Sequence, residues 1–408
     1  MIDATQIGHR LRSARERNGI SQQAVADAME LPRTAVTNIE SGSRSVSTLE
    51  LTRLAQLYRC SPASFLDGVQ QEEDASVVFM RALQGRDAPT LRDAIDRVLL
   101  LCREGAALRR LLGQEVEEDL PDYVGRLGKA GDAIRQGEQT AREERQRLGL
   151  GHAPIGNIAE LLSGQGIWVA ACHMPEEMSG LFAHDKRIGL AIVVNAWHGA
   201  VRRRFSYAHE YGHALFDRGE PFRITERANA EDLVEKRANT FAASFLMPAD
   251  GIEDQLRRLD KGQPSRKAQI VYDVANDAPT EAEIRPREGS QTITYLDVRA
   301  IARRFGVSYE SAVWRLRNLD HLNAAAANTL LAQKDLKPRL DDILKMSVDD
   351  IQPPPDREET ELPNQIVRLA VEAFRRGEIS HGRLRELATG LNLRADALIE
   401  LAEAACTE

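Results

Sequence analysis

Cysteine is scarce and scattered in this chain. The four in 408 residues, Cys60, Cys102, Cys172 and Cys406, form no CxxC pair. That spacing excludes a disulfide framework and a thiolate zinc site, and it suits a reducing compartment. Aromatic residues make up only 5%, while Ala, Leu, Arg and Glu are abundant, a balance that favours helices. No apolar run approaches the roughly 20 residues a membrane span needs. The opening stretch, MIDATQIGHRLRSARERNG, lacks the apolar centre of a signal peptide. A net charge of -8 gives no general affinity for nucleic acid, so any such contact must come from a local basic surface. The expectation is a cytoplasmic protein without membrane partners.

The apolar fraction of 42% and charged fraction of 28% are those of a globular chain, and the length predicts two to four domains. Five segments are expected: a compact helical unit over 1–68, a helical connector over 69–147 that could dimerise, and a small α+β unit over 148–262. Loop and helical elements packed on that unit follow over 263–350, then a linker and C-terminal helices over 351–408. In the third segment GIWVAACH and IGLAIVVNA read as strands, and RRRFSYAHEYGHALFD and AEDLVEKRANTFAASFLMP as helices. Residues 262–291 read as a loop. The expected fold class is mainly α and multidomain, with an N-terminal helix-turn-helix bundle.

The stretch GISQQAVADAMELPRTAVTNIESG has helix-turn-helix spacing. Ser21 is a good N-cap, and Ala24, Val25 and Ala28 are expected to face inward. A turn at Glu30 and Leu31 leads through Pro32, suited to a first helical turn, into a second helix with Ala35, Val36 and Ile39 inward. Arg33, Thr34, Thr37 and Asn38 are left outward, where short polar side chains and an arginine can reach base edges in a major groove. Gln22 and Arg44 are placed to contact phosphates. With SQQAVADAM, TNIESGSR and TLELTRLAQLY, residues from about 7 to 66 resemble the XRE (Cro/cI-type) family. The resemblance implies a double-stranded DNA operator as partner. A single such domain binds weakly, which predicts a homodimer on a two-fold site. Glu30 stands where many relatives have glycine; a positive φ there would cost about 1 kcal/mol.

In SYAHEYGHAL the two histidines are four residues apart, so on a helix His209 and His213 point at one ion from one face. Zinc accepts neutral imidazole nitrogen, and Glu210, one step round, would serve as the catalytic acid/base. The metzincin continuation fails because Phe216 and Gly219 occupy its Gly and final His positions. A glutamate on a second helix is the other source of a third ligand. Glu235 supplies one, with Asn239 a turn further along to orient a ligand by hydrogen bonding, and Glu231 competes for the role. Gly212 suggests that a strand or the second helix packs closely there. His173, His184 and His198 read as surface or satisfied core histidines. Tyr207, Tyr211 and Tyr295 are candidates for oxyanion stabilisation, each more often plain packing.

With IVVNAW before it and EKRANTFAASFLMP after it, this stretch resembles the ImmA/IrrE family of zinc metallopeptidases over about residues 150–251. The resemblance implies a small zincin fold, one zinc ion per chain, His209, His213 and Glu235 as ligands, and Glu210 as catalytic residue. It also implies cleavage of XRE-type repressors. With both modules in one chain, the expected function is a transcriptional regulator whose endopeptidase domain controls repression by cutting itself or a partner protein. Fusions of this type also resemble autoregulating antitoxins, which bind DNA and neutralise a toxin encoded nearby; the zincin would then be structural. The segment DVRAIARRFGVSYESAVWRLRNL has helix-turn-helix spacing at Ala302 and Gly306 and basic Arg299, Arg303, Arg304, Arg315 and Arg317 that could touch DNA. The preferred expectation is that it packs beside the zincin core, with Phe305, Val313 and Trp314 inward and its arginines solvated.

Overall fold

The computed structural model describes residues 4–17, 20–58, 65, 89–114, 120–123, 125–185, 187–219, 222–226, 232–262, 267–273, 278–284, 289–333 and 361–406. The chain divides into two compact units, Met1–Ala82 and Leu83–Glu408. None of the described helices is long and apolar enough to cross a membrane.

The first unit holds α1 (Ala4–Arg17), α2 (Gln22–Met29), α3 (Arg33–Glu40) and α4 (Thr48–Leu57) around a core that includes Leu11, Val36, Ile39, Leu54 and Phe65. The Ser21 hydroxyl caps α2 by accepting from the Ala24 amide at 3.1 Å. The inward stripe of α2 is Val25, Ala26 and Met29, while Ala24 and Ala28 are exposed. The stripe is therefore one residue further round than the alternation of small residues suggested, because Met29 as well as Val25 must meet the core. Ala35 is half-buried, and Pro32 sits at the N-cap of α3, one residue before the expected place. A bidentate ion pair, Arg15 Nε to Glu40 Oε1 at 2.5 Å and Arg15 Nη2 to Glu40 Oε2 at 3.0 Å, ties α1 to the end of α3.

Glu30 closes α2 in the left-handed region, at φ 58° and ψ 37°, with its amide donating to the Ala26 and Asp27 carbonyls. A Cβ is disfavoured there by about 1–2 kcal/mol, and glycine gives back about 0.5–1 kcal/mol through its freer unfolded chain. Glu30→Gly is expected to stabilise the first unit by about 0.5–1 kcal/mol. A raised chemical-denaturation midpoint with an unchanged m-value checks this.

The second unit is built on a four-stranded sheet of order β1-β3-β2-β4, from β1 (Trp168–Cys172), β2 (Met178–Asp185), β3 (Gly189–Asn195) and β4 (Phe222–Glu226). β1 runs parallel to β3, and β2 is antiparallel to both β3 and β4. Side chains alternate across a strand, so Val169, Leu190, Ile192 and Val194 share one face. They join Tyr207, Tyr211 and Leu215 of α8 (Ala200–Phe216) and Phe241 and Phe245 of α9 (Leu233–Leu246) in one core. Helices α5 (Pro89–Leu111) and α14 (Glu361–Arg375) pack on each other and on β1, where the Arg109 guanidinium lies 3.9 Å over the Trp168 ring.

The helical connector expected over 69–147 is interrupted. Its first residues lie outside the described ones, and α5 is separated from α6 (Ala130–Arg147) by the non-helical residues 120–123 and 125–128. Pro121 and the glycines Gly125 and Gly128 in that segment disfavour helix. α7 (Ile158–Gly164), capped by Asn157, leads into β1, and α10 (Ala249–Arg258) follows Pro248. The expected loop at 262–291 carries a two-stranded antiparallel pair, β5 (Lys267–Asp273) with β6 (Ala278–Ile284). Its polar composition hid the strand alternation.

Three short helices, α11 (Tyr295–Phe305), α12 (Tyr309–Asn318) and α13 (Ala324–Ala332), join the sheet's core through Phe305, Val313 and Leu316. Trp314 is instead 44% exposed, under the Arg317 guanidinium. Arg315 is buried, donating to the Met247 carbonyl at 3.0 Å and to Glu138 at 2.8 Å. One arginine expected in solvent therefore fastens α12 to α9 and α6. Beyond residues 334–360, which include most of the expected linker and lie outside the described residues, α14, α15 (His381–Gly390) and α16 (Ala395–Ala404) form the C-terminal helices.

Candidate metal centre

Helix α8 is buried from Ser206 to Phe216, so it runs through the unit and not over its surface. A Cβ on Gly212 would stand 3.1 Å from the Phe241 ring and 3.4 Å from Ala238 Cα. Of the two neighbours its presence suggested, the second helix α9 is the one that packs there. This close crossing brings the faces of α8 and α9 together.

His209 Nε2 lies 3.0 Å from His213 Nε2 and 3.0 Å from Glu235 Oε2, and His213 Nε2 lies 3.5 Å from Glu235 Oε1. Among the described residues these three side chains are the group of His, Cys, Asp or Glu able to hold a metal ion. The competing Glu231 lies outside the described residues. The outer ring nitrogens settle which atoms face inward. His209 Nδ1 donates to Asn239 Oδ1 at 3.0 Å, and His213 Nδ1 donates to Asp217 Oδ2 at 2.8 Å. With protons on both Nδ1 atoms, two imidazole lone pairs and a carboxylate converge on one point, an arrangement that a cation relieves. Ligands at about 2.0–2.1 Å from a tetrahedral ion lie roughly 3.4 Å apart, close to the separations found. The residues fit a zinc-sized cation.

Charged neighbours hold this arrangement. Arg237 donates to Asp217 Oδ1 at 2.6 Å and stacks its guanidinium 4.2 Å over the Phe216 ring. On β4, Arg223 donates to Glu235 Oε1 at 3.2 Å. Burial alone would raise the Glu235 carboxyl's pKa, but the His209 and His213 imidazoles hold it far below the usual carboxylate range. For His213, burial opposes protonation; Asp217 and Glu235 outweigh it and shift the pKa upward. Asp217 and Arg237 were not singled out from the sequence, although Asp217 continues the i, i+4 row of His209 and His213.

Glu210 is fully buried beside this cluster, and neither carboxylate oxygen has a hydrogen-bond partner among the described residues. Gly180 of β2 makes room for it: a Cβ there would stand 2.8 Å from Glu210 Oε1. Burial pushes the Glu210 pKa up to about 7, with the charge of Glu235 adding to the rise and those of His209 and Arg223 opposing it. A carboxyl poised near neutrality can both take up and return a proton.

The three tyrosines do not turn toward this point. Tyr207 donates to the Ala170 carbonyl at 3.3 Å, and Tyr211 donates to Glu144 at 2.6 Å. Tyr295 packs against Tyr309 at 5.1 Å between ring centroids. Glu144 also accepts from Tyr123 at 3.0 Å and Arg147 at 2.8 Å, a buried network that joins α6 to the back of α8. His173, His184 and His198 all lie outside the cluster: His173 packs at a tilt against Trp197, His184 meets the Arg218 carbonyl, and His198 meets the Glu176 carbonyl.

In the first unit, Arg33, Thr34, Thr37 and Asn38 are exposed on one side of α3. Gln22 donates to Glu40 at 2.8 Å, and Arg44 pairs with Glu50 at 2.7 Å. Both expected phosphate contacts therefore have an acidic partner within the chain.

Residues 6–65 match the family model of a helix-turn-helix domain, and residues 162–272 match that of an IrrE N-terminal-like domain of peptidase family M78. The chain joins a DNA-binding helix-turn-helix domain to an IrrE-like domain. The second match runs from Leu162 in α7 to Tyr272 in β5 and contains both helices of the metal centre. No curated protein matches the chain. A crystal structure of PlcR from Bacillus thuringiensis in complex with the peptide PapR7 and DNA aligns over 98% of this chain and 96% of that chain. Its identity of 10% and TM-score of 0.16 are too low to carry an argument.

Within the IrrE-like domain, Asp217→Asn is expected to weaken zinc binding about 10–100-fold, because the His213 ring loses the charged acceptor that orients it. Competition with a chromophoric chelator measures this. An unchanged affinity would mean that Asp217 serves Arg237 alone.

Proposed function

We propose that this chain is a transcriptional regulator whose IrrE-like domain is a zinc-dependent endopeptidase, and that cleavage of the chain itself or of a partner protein changes operator occupancy. The observation that carries the reading is the convergence of His209, His213 and Glu235 next to the unpartnered, buried carboxylate of Glu210. Zinc held by the three would supply Lewis acidity, lowering the pKa of water and polarising a carbonyl. Glu210 would take the proton from the attacking water and pass it to the leaving amine. Asn239 and Asp217 orient the two imidazoles, and Arg223 holds the Glu235 carboxylate. In the first unit, Arg33, Thr34, Thr37 and Asn38 would read base edges, and Gln22 and Arg44 would meet phosphates after exchanging their acidic partners. The operator-bound form would be a homodimer.

One observation favours a second reading. The four side chains of the centre are at most 3% exposed, so a peptide reaches them only after a rearrangement. The domain would then be a structural platform in an autoregulating antitoxin that binds a toxin encoded nearby. The two readings separate in cells. Under the peptidase reading, Glu210→Gln keeps operator repression but abolishes its release; under the antitoxin reading the variant represses and neutralises the toxin as the wild type does. A reporter driven by the chain's own promoter, with and without the neighbouring gene, distinguishes them.

A further inference from the structure

A cavity of about 840 Å³ lies in the second unit at the C-terminal end of β1, apart from the metal centre. Helices α5 and α14 wall it with Leu91, Val98, Leu101 and Leu362, and Leu391, the C-cap of α15, adds to the lining. Its volume is within the range of small-molecule sites, which are mostly apolar with a few polar groups that fix orientation. No carboxylate lines it, although the chain as a whole carries a net charge of -8. Arg97 is the one arginine or lysine in its lining, and among the described residues its guanidinium has no ion pair or hydrogen bond. Burial pushes the Cys172 thiol up to about 12, so that neighbour stays neutral and adds no negative charge to the cavity wall. At the rim, Trp197 is 72% exposed, with the His173 ring tilted 51° against it at 4.4 Å between centroids, so the indole offers an exposed aromatic surface.

We propose that this cavity binds a small aromatic carboxylate, its acid group on Arg97, its ring on Trp197 and its remaining apolar surface against the leucines of α5 and α14. The charge of Arg97 selects an anion over a neutral or cationic molecule of the same shape. The exposed indole selects a planar body over a flexible chain, because stacked rings gain offset or edge contacts and lose few rotamers. Trp197 lies three residues before α8, so an occupant would sit against the turn that starts the helix bearing His209 and His213. The inference does not depend on the peptidase reading.

Isothermal titration of the full chain with four probes tests it: 2-naphthoate, 2-naphthylmethanol, 2-naphthylmethylamine and decanoate. The expected result is saturable binding of 2-naphthoate at one site per chain, with the alcohol and decanoate weaker and the amine unbound. Arg97→Ala is expected to weaken 2-naphthoate about tenfold or more and to leave the alcohol within about twofold. Ala94→Phe, which fills the cavity from α5, is expected to abolish binding of 2-naphthoate, the alcohol and decanoate. Thermal melts establish folding of each variant, and if Ala94→Phe does not fold, the exposed Arg97→Ala decides alone. The proposal is overturned by the absence of saturable 2-naphthoate binding, by unchanged affinity in Arg97→Ala, or by tighter binding of the amine or decanoate.

Discussion

Glu210→Gln is expected to retain one zinc per chain and to lower the rate of peptide cleavage by about 10²–10⁴-fold, the range that a positioned general base supplies. The substitution is nearly isosteric, and Glu210 donates no atom to the convergence of His209 Nε2, His213 Nε2 and the Glu235 carboxylate. His213→Ala is expected to lose both the metal and the activity, since it removes one of three ligands and leaves Asp217 without its ring partner. Metal analysis of the purified variants, with mass spectrometry of cleavage products from the chain and from its operon neighbour, reads both quantities. Retained zinc with undiminished cleavage in Glu210→Gln would assign the proton transfers to another group. Lost zinc in that variant would make Glu210 a ligand.

The second large effect lies in the helix-turn-helix domain. Glu40→Ala is expected to destabilise the first unit by about 3–5 kcal/mol, because it removes the carboxylate that neutralises the buried Arg15 guanidinium. Glu40 is only 4% exposed and Arg15 only 8%. Glu40 also accepts from Gln22, so the loss loosens the start of α2 as well. A domain of this size has a total stability of only about 5 kcal/mol, so operator binding would disappear with the fold. The double variant Arg15→Met, Glu40→Leu is expected to recover most of the loss, since a buried pair replaced by well-packed apolar side chains is often neutral or better. Denaturant titration of the three variants gives the coupling energy, and a Glu40→Ala cost under about 1 kcal/mol would mean that water reaches Arg15.

What could be read from the sequence was local. His209 and His213 are one helical turn apart, and a spacing of four residues is visible without any knowledge of packing. Ser21 and the exposed face of α3 were legible for the same reason. Glu30 was legible as a conflict: a glutamate where the turn needs a left-handed residue, which the backbone adopts at φ 58°. The partners of the centre were less visible. Glu235 stood out as one of two glutamates in the stretch read as the second helix, and only the crossing of α8 and α9 brings its carboxylate to the imidazoles. Arg237 and Asp217 are 20 residues apart, and Tyr211 and Glu144 are 67 apart, pairings that no periodicity encodes. Of the strands that escaped notice, β4 is short and β6 polar, while β2 is eight residues, buried at most of its positions and therefore without an alternating pattern. β4 is five residues and half-buried throughout, which leaves no alternation to detect. Arg315 and Trp314 exchanged their expected places because the arginine finds the Met247 carbonyl and Glu138, and a buried guanidinium so paired leaves the indole to the surface.

The proposed link between gene control and peptide cleavage rests on the candidate metal centre, and anomalous scattering from zinc-loaded crystals tests it most directly. The account predicts one peak at the zinc absorption edge per chain, within bonding distance of His209 Nε2, His213 Nε2 and a Glu235 carboxylate oxygen, with Glu210 close by but not bonded. No peak among these residues, or a peak held by other side chains, would contradict it.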